Sequence, residues 1–329
     1  MAYRRCVLWL LLGAGLCNSA MAEMDRSAVL ELGYRVDSLD WNIAGWSTSG
    51  LGEIRSGQYV NVLSELSWSD VQIAQIGARL SGDEGLLHWR GRVTYGEVLS
   101  GDNQDSDYDY DNRQGEFSRS NNQADGNVFD ASAGLGHRFD FKTPGGDLYH
   151  VAPLVGGSIH IQNMGMTNGY QTLYVPVAAG ASDPRAGVPD PTAVGMIEGL
   201  DSSYRAEWYS AWLGVDVWRD ITPKLRMSMS AQAHWADYYA AANWNLRADF
   251  AHPKSFDHVA IGRGVQLSVN GLYKLSESMD WSMGLDYNRW RTGAGVDTIY
   301  LASGRSVQAL LNEVNWSSVA ISLGLAQRF

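Results

Sequence analysis

The sequence predicts an all-β fold, a transmembrane antiparallel β-barrel of ten strands. Three observations support this: strand-like alternation at the end of the chain, its recurrence along the chain, and connections that alternate between short and long. At the end, large apolar residues occupy one parity and small or polar residues the other: Val319, Ile321, Leu323, Leu325, Gln327 and Phe329 against Ala320, Ser322, Gly324, Ala326 and Arg328. Successive strand side chains point to opposite faces. In a membrane barrel the apolar face contacts lipid and the other lines the lumen.

Similar alternation recurs along the whole chain, without helical periodicity. In one segment, Trp281, Met283 and Leu285 alternate with Ser282 and Gly284. We therefore predict ten strands, at 28–46, 60–80, 86–98, 127–142, 147–163, 202–218, 224–241, 259–274, 280–292 and 311–329.

The connections between these segments alternate in length. The short ones are 81–85, 143–147, 219–224 and 275–279, and the long ones are 47–59, 99–126, 164–201, 242–258 and 293–310. Short periplasmic turns and long extracellular loops are typical of outer-membrane barrels. An even strand number puts both termini on the periplasmic side, and closure removes the exposed sheet edges.

The N-terminus has the features of a secretory signal. Arg4 and Arg5 precede an apolar run from Val7 to Leu16, and Ala20-Met21-Ala22 offers a cleavage site. The apolar run is too short to span a bilayer. We predict cleavage before Glu23, which leaves residues 1–22 as signal peptide and 23–329 as barrel.

Composition and charge exclude several classes of function. Cys6 and Cys17 both lie in the signal, so the mature chain has no disulfide and no thiol chemistry. Cleavage moves the net charge from −11 to −13, since it removes two arginines and no acid. Nucleic acid is therefore not an expected partner. An acidic rim favours cationic ligands or requires divalent ions near anionic lipid, and the alternative is that the charge only keeps exposed loops soluble. The 13 Trp, 16 Tyr and 36 Gly suit aromatic girdles and a tight lumen.

The second long loop carries a run of acids from Asp102 to Asp111, with Asp105 and Asp107 two positions apart. Crowded carboxyl groups raise one another's pKa because they resist joint ionisation. A pair that shares a proton can act as acid and base towards a water. Two alternatives stay open: a divalent-ion site, although the calcium-loop pattern is incomplete, and a solvated acidic loop.

The fourth long loop offers two possible Asp–His pairs, Asp249 with His252 and Asp257 with His258. An Asp that orients an imidazole makes it a general base. His150, His160 and His234 fall on the inward parity of their strands and are expected to fill the lumen. There is no nucleophile elbow, phosphate loop, zinc-protease helix or dinucleotide fingerprint, so no cofactor and no metal are expected.

Several stretches resemble the omptin family of outer-membrane barrels. Ser64-Glu-Leu-Ser-Trp68 is similar to the family's second-strand motif. The segment from Val93-Thr-Tyr-Gly to Asp105-Ser-Asp107-Tyr is similar to its third strand and Asp-x-Asp loop, and Tyr204 through Trp235 to its sixth and seventh strands. The likeness covers nearly the whole mature chain in topology. It implies a bacterial outer-membrane location with loops outside, lipid partners including lipopolysaccharide, and a monomer.

The resemblance also implies a site. In omptins an Asp pair and an Asp–His pair flank a water that attacks a peptide bond. Asp105 and Asp107 match the first pair, and a register with Asp109 in place of Asp105 fits equally. Counted from Trp235, the second pair falls on Ala242 and Trp244. Either Asp249 and His252 substitute for it, or the general base is gone.

Three functions follow as hypotheses. The first is a surface endopeptidase that cleaves a polypeptide substrate, with Asp105 and Asp107 acting on a water and Asp249 and His252 supplying the base. The second is a non-catalytic barrel whose acidic loops bind a ligand, an ion or a surface partner. A diffusion pore is disfavoured, because side chains largely fill a barrel of about ten strands.

Overall fold

The computed structural model describes residues 25–48, 54–175 and 194–329. The predicted signal peptide lies outside these ranges, so its cleavage stays a prediction. No helix among the described residues is long and apolar enough to cross a membrane. The described chain forms these strands: β1 Asp25–Thr48, β2 Ile54–Glu84, β3 Leu87–Tyr110, β4 Gln114–His137, β5 Phe139–Lys142, β6 Leu148–Tyr174, β7 Gly195–Met196, β8 Asp201–Thr222, β9 Leu225–Asn243, β10 Phe256–Lys274, β11 Met279–Thr292, β12 Gly295–Tyr300 and β13 Ser306–Arg328.

Ten of these strands form a closed antiparallel ring, in the order β1-β2-β3-β4-β6-β8-β9-β10-β11-β13, and β13 pairs back to β1. The closing register runs from Ser27 opposite Arg328 to Ala44 opposite Leu310. The short strands extend this ring: β5 and β7 pair with β6, and β12 pairs with β10 and β13. The predictions of an all-β fold and a ten-stranded barrel are confirmed.

The outer surface of the ring carries the apolar belt that the alternation predicts. On β13, Val319 and Ile321 are 48% and 57% exposed, whereas Ala320 and Ser322 are each 5% exposed. The outward side chains of β11 repeat this pattern. The large apolar residues therefore face lipid, and the small and polar residues face the lumen.

The strands extend further than their alternation indicates, and the prediction of a long loop at 99–126 is wrong. β3 and β4 continue as a ladder from Asp102 opposite Gln123 to Tyr110 opposite Gln114. Polar residues occupy both faces of this ladder. The alternation that lipid imposes is therefore missing, although the backbone groups still pair with each other. β6 and β12 likewise occupy parts of the predicted loops 164–201 and 293–310.

These long strands make the two ends of the barrel different. The 24 residues of β3 span ~80 Å along the strand, whereas a tilted strand needs only about ten residues to cross a membrane. The connections at 85–86, 143–147, 223–224 and 275–278 mark the short-turn end. The opposite end, the projecting end, extends beyond the lipid belt.

Side chains fill the lumen in two layers. Near the short-turn end, Glu31 binds Arg79 and Arg92 at 3.2 and 2.7 Å, and Arg92 also binds Asp286 at 2.7 Å. Towards the projecting end, aromatic side chains that are at most 1% exposed pack together: Trp68, Trp208, Trp290, Trp316, Tyr204 and Tyr238. A cavity of about 40 Å³ beside Arg35 and Asp130 lies within the charged region. The middle of the barrel is therefore packed.

Candidate functional site

Asp105 and Asp107 lie on β3 beyond the lipid belt, which on this strand reaches the exposed Leu99. Asp105 stands opposite Leu66 of β2. Directly opposed residues share one face of a sheet, so Asp105 points with the buried Leu66 towards the interior of the ring. Asp107 follows two positions later on the same face. The strand therefore places two carboxyl groups side by side inside the projecting end.

The carboxyl group of Asp105 is perturbed. Burial and, next, the charge of Asp107 raise the pKa of Asp105 to about 8, although the Arg247 guanidinium acts in the opposite sense. Two neighbouring carboxyl groups that resist joint ionisation hold one proton between them. Asp105, which the sequence analysis placed in a loop, is therefore a partly enclosed carboxyl group that keeps its proton at neutral pH.

Replacing Asp105 with asparagine is expected to stabilise the protein at high pH. The folded pKa lies above the unfolded value. The stabilising effect of the retained proton is therefore complete below the unfolded pKa and is lost as pH rises towards 8. Asparagine stays neutral throughout. As pH rises from 4 to 9, we expect the free energy of unfolding of Asp105→Asn to increase by at least ~1 kcal/mol relative to that of the parent protein. Urea unfolding across this range measures the gain, and identical pH slopes in the two proteins would contradict the shared proton.

Arg247, in the loop that follows β9, binds Asp249. Its Nε and one terminal nitrogen donate to the two carboxylate oxygens of Asp249 at 2.9 and 2.7 Å. Burial acts to raise the pKa of Asp249, but the hydrogen bond and charge of Arg247 outweigh it and lower that pKa. Arg247 also interacts electrostatically with Asp105 and Asp107. The group facing the acidic pair from this loop is therefore a guanidinium.

His252 is exposed, and its contacts lie at the base of its own loop. Nδ1 is 2.7 Å from Oδ1 of Asn243, and Nε2 is 3.2 Å from the carbonyl oxygen of Arg247. Asp249 is therefore paired with Arg247, and His252 contacts Asn243 and the Arg247 carbonyl. None of these contacts joins Asp249 to His252.

Ala242 and Trp244, the positions that match the second omptin pair, carry no titratable side chain. Ala242 is buried at the end of β9. The Trp244 ring packs edge-on against Phe256, with ring centres 4.7 Å apart. These positions extend the aromatic core towards the projecting end.

The structure separates the alternative pair Asp257 and His258, because neighbouring residues of a strand point to opposite faces. Asp257 accepts hydrogen bonds from Lys254 and, at 2.9 Å, from the Tyr300 hydroxyl. His258 instead faces Asp297 of β12, with Nε2 3.4 Å from the carboxylate, and its Nδ1 lies 2.9 Å from the Tyr204 hydroxyl. No sequence pattern indicated a role for Asp297, because β12 lies within the predicted loop 293–310.

The inward histidines are tied to neighbouring polar groups. Nδ1 of His160 lies 2.9 Å from Asp130, and Nδ1 of His234 lies 3.0 Å from the Ser210 hydroxyl. At the short-turn end, Nδ1 of His150 lies 2.7 Å from Asp140. Within the described ranges, no group of three or more His, Cys, Asp or Glu side chains is arranged to hold a metal ion.

Comparison with solved structures identifies the architecture. The outer membrane protease OmpT from Escherichia coli is similar with a TM-score of 0.65 and 12% identity, over 93% of this chain and 97% of that chain. A FadL homologue from Pseudomonas aeruginosa has a TM-score of 0.27 and 11% identity, over 92% and 90% of the two chains. The Pseudomonas putida toluene transporter TodX has a TM-score of 0.22 and 9% identity, over 92% and 89%. The similarity to OmpT shows that the two proteins share a fold and nothing further. The other two structures are too dissimilar to support a conclusion.

A family model covers almost the whole barrel, although no curated protein matches the sequence. The model described as Pom, Protochlamydia outer membrane protein, matches residues 29–329. The match begins within β1 and runs to the last residue. Together with the OmpT-like fold, it places the chain in the bacterial outer membrane. The chain belongs to the Pom family of outer membrane proteins.

Proposed function

We propose that this barrel binds cationic ligands at its projecting end, which faces the cell exterior, and that it does not hydrolyse peptides. The observation that carries the proposal is the guanidinium of Arg247 beside Asp105 and Asp107. The positions that match the omptin Asp–His pair hold Ala242 and Trp244, so no base matches that pair.

Arg247 suggests how a ligand would bind. Its side chain is 44% exposed and is held through Asp249, so a lysine or arginine of a ligand can compete for the same carboxyl groups. The overall charge of −11 adds long-range attraction for such a ligand. A basic peptide is therefore the ligand class that the site favours.

A peptidase is the second candidate, and the raised pKa of Asp105 favours it. A protonated carboxyl beside a carboxylate resembles the shared-proton pair that activates water in aspartic proteases. Without a positioned partner base, such a site is expected to lose about 10²–10⁴-fold in rate.

One experiment separates the two candidates. The refolded mature chain, with lipopolysaccharide present, is tested for cleavage of a quenched peptide library and for binding of a fluorescent arginine-rich peptide. We expect binding without cleavage, and about tenfold weaker binding in the Asp105→Asn/Asp107→Asn protein. Asp201→Asn removes a charge from β8 and serves as control, with an expected change under about twofold. Cleavage that is lost in both Asp107→Ala and His252→Ala would overturn the proposal in favour of the peptidase.

A further inference from the structure

The lumen contains a serine, a histidine and an aspartate that are connected as in a catalytic triad. Ser158 and His160 lie two positions apart on the inward face of β6, each 5% exposed, and Ser158 Oγ is 3.0 Å from His160 Nε2. Asp130 of β4 stands directly opposite His160, and its Oδ1 is 2.9 Å from His160 Nδ1. With the imidazole proton on Nδ1, facing the carboxylate, Nε2 can accept the proton of the serine hydroxyl.

The aspartate of this triad is held in place through its other oxygen. Oδ2 of Asp130 accepts hydrogen bonds from Arg35 at 2.6 Å and from Thr94 at 3.1 Å, which leaves Oδ1 directed at His160. Arg35 also pairs with Asp37, so one arginine and two aspartates carry a net negative charge. A negative charge beside the imidazole stabilises the imidazolium that forms when His160 takes a proton.

Two neighbouring cavities lie between the triad and the short-turn end. The inner cavity has a volume of about 40 Å³ and is lined by Asp130 and His160. The outer cavity has a volume of about 320 Å³ and reaches the short connection at 223–224. Ser132, which stands opposite Ser158 in the pairing of β4 with β6, lines both cavities. Ser158 therefore lies next to the place where the two cavities meet.

We propose that Ser158, His160 and Asp130 form an esterase site for small uncharged carboxylic esters. With the projecting end outside the cell, the ester enters through the outer cavity from the periplasm. The hydroxyl oxygen of Ser132 is shielded from solvent and has no hydrogen-bond partner among the described residues. This hydroxyl can donate to the carbonyl oxygen of the ester as that oxygen becomes negative.

The cavities define the class of ester. The inner cavity has room for about three water molecules, which is enough for an acetyl group and excludes a polypeptide. In the outer cavity, charged side chains already pair with each other, as Arg90 does with Asp216 at 2.7 Å and Arg328 with Asp280 at 3.0 Å. A charged ligand must compete with these pairs, whereas an uncharged ester does not. The activity is thus separate from the peptide site at the projecting end.

The reaction runs in two halves that pass through an acyl-serine. Ser158 Oγ bonds to the carbonyl carbon while its proton passes to His160 Nε2, and the bond to the alcohol oxygen then breaks as the alcohol leaves with that proton. A water molecule next gives a proton to His160 while its oxygen bonds to the acyl carbon. The bond to Ser158 Oγ breaks, Ser158 regains the proton, and the carboxylic acid is released. Asp130 touches no reacting atom and is a positioning residue for His160.

Reaction of refolded residues 23–329, in detergent micelles, with a fluorophosphonate probe and with 4-nitrophenyl acetate tests the site. The probe bonds to an activated serine oxygen with loss of fluoride, and we expect mass spectrometry to locate it on Ser158. The acetate ester should give a burst of about one nitrophenolate per barrel before steady turnover. Ser158→Ala and His160→Gln should each lower turnover at least ~10³-fold. Ser322→Ala, at a lumenal serine of β13 that is also 5% exposed, should change it less than about twofold.

The pH profile of labelling tests the positioning role of Asp130. In Asp130→Asn, the asparagine amide donates to Nδ1 and favours the tautomer whose Nε2 cannot accept the serine proton. Labelling should then be slower and should keep rising with pH, because hydroxide replaces the missing base, whereas in the parent it should level off once His160 is neutral. Profiles of the same shape in the two proteins would contradict this role.

Heat-dependent gel mobility shows that each variant is folded before it is assayed. Absence of labelling in the folded parent, labelling at a residue other than Ser158, or turnover that survives Ser158→Ala would each overturn the esterase site. Peptide binding at Asp105 and Asp107 is measured separately, so failure of either proposal leaves the other to be judged on its own result.

Discussion

Replacing Arg35 with methionine is expected to lower the free energy of unfolding by about 3–5 kcal/mol. Arg35 is buried in the lumen and binds two carboxylates, Asp37 at 2.5 and 2.6 Å and Asp130 at 2.6 Å. Methionine removes the cation and leaves both carboxylates in a closed space. Removing one member of a buried ionic group costs more than removing the group as a whole, because the remaining charge has lost its partner.

The matched variant changes the carboxylates as well. Asp37→Asn and Asp130→Asn, added to Arg35→Met, should restore at least about half of the loss, because no unpaired charge then remains. Urea unfolding followed by tryptophan fluorescence gives both values. A loss below ~1 kcal/mol in the single variant would mean that water reaches this layer freely.

Trp316→Ala is expected to cost about 3–5 kcal/mol. Trp316 is buried in the aromatic layer and stacks on Trp290 with ring centres 5.7 Å apart. Its indole nitrogen donates to Asp37 at 3.0 Å, and the Arg35 guanidinium lies 5.4 Å from its ring centre. Alanine removes this packing and leaves a cavity between β13 and the centre of the barrel.

Trp316→Phe separates packing from the hydrogen bond. Phenylalanine keeps most of the ring contact and loses the donor to Asp37, so a cost of about 1–2 kcal/mol is expected. Thermal unfolding in detergent micelles compares the two variants. Equal losses would show that the hydrogen bond, and not the packing, accounts for the effect of Trp316→Ala.

The sequence was sufficient for the membrane part of the fold. Lipid on one side and a lumen on the other impose strict alternation, as in Val319 to Leu325, and this alternation predicted the ring and its faces. Beyond the lipid no such constraint acts. Asp102 to Tyr110 therefore resembled a loop, although the backbone ladder with β4 continues through it.

The candidate site could be predicted only where its residues are close in sequence. Asp105 and Asp107 share a face because they are two positions apart on one strand. Arg247 approaches them from another strand connection, and Asp297 meets His258 through the register of β10 and β12. In the lumen, Arg79 contacts Asn270, which is 191 residues away in the sequence. Contacts of this kind follow from closure of the ring and leave no local pattern.

A disulfide between the first and last strands tests directly whether they close the barrel. Ser38 of β1 stands opposite Ser317 of β13, with hydroxyl oxygens 2.8 Å apart. Residues 23–329 contain no cysteine, so Ser38→Cys/Ser317→Cys in this part of the chain introduces a single pair. Mild oxidation in membranes should cross-link this pair almost completely, whereas Ser38→Cys/Ser210→Cys, with the second thiol on β8, should stay reduced. A Ser38–Ser317 pair that stays reduced in the folded protein would contradict the closed barrel.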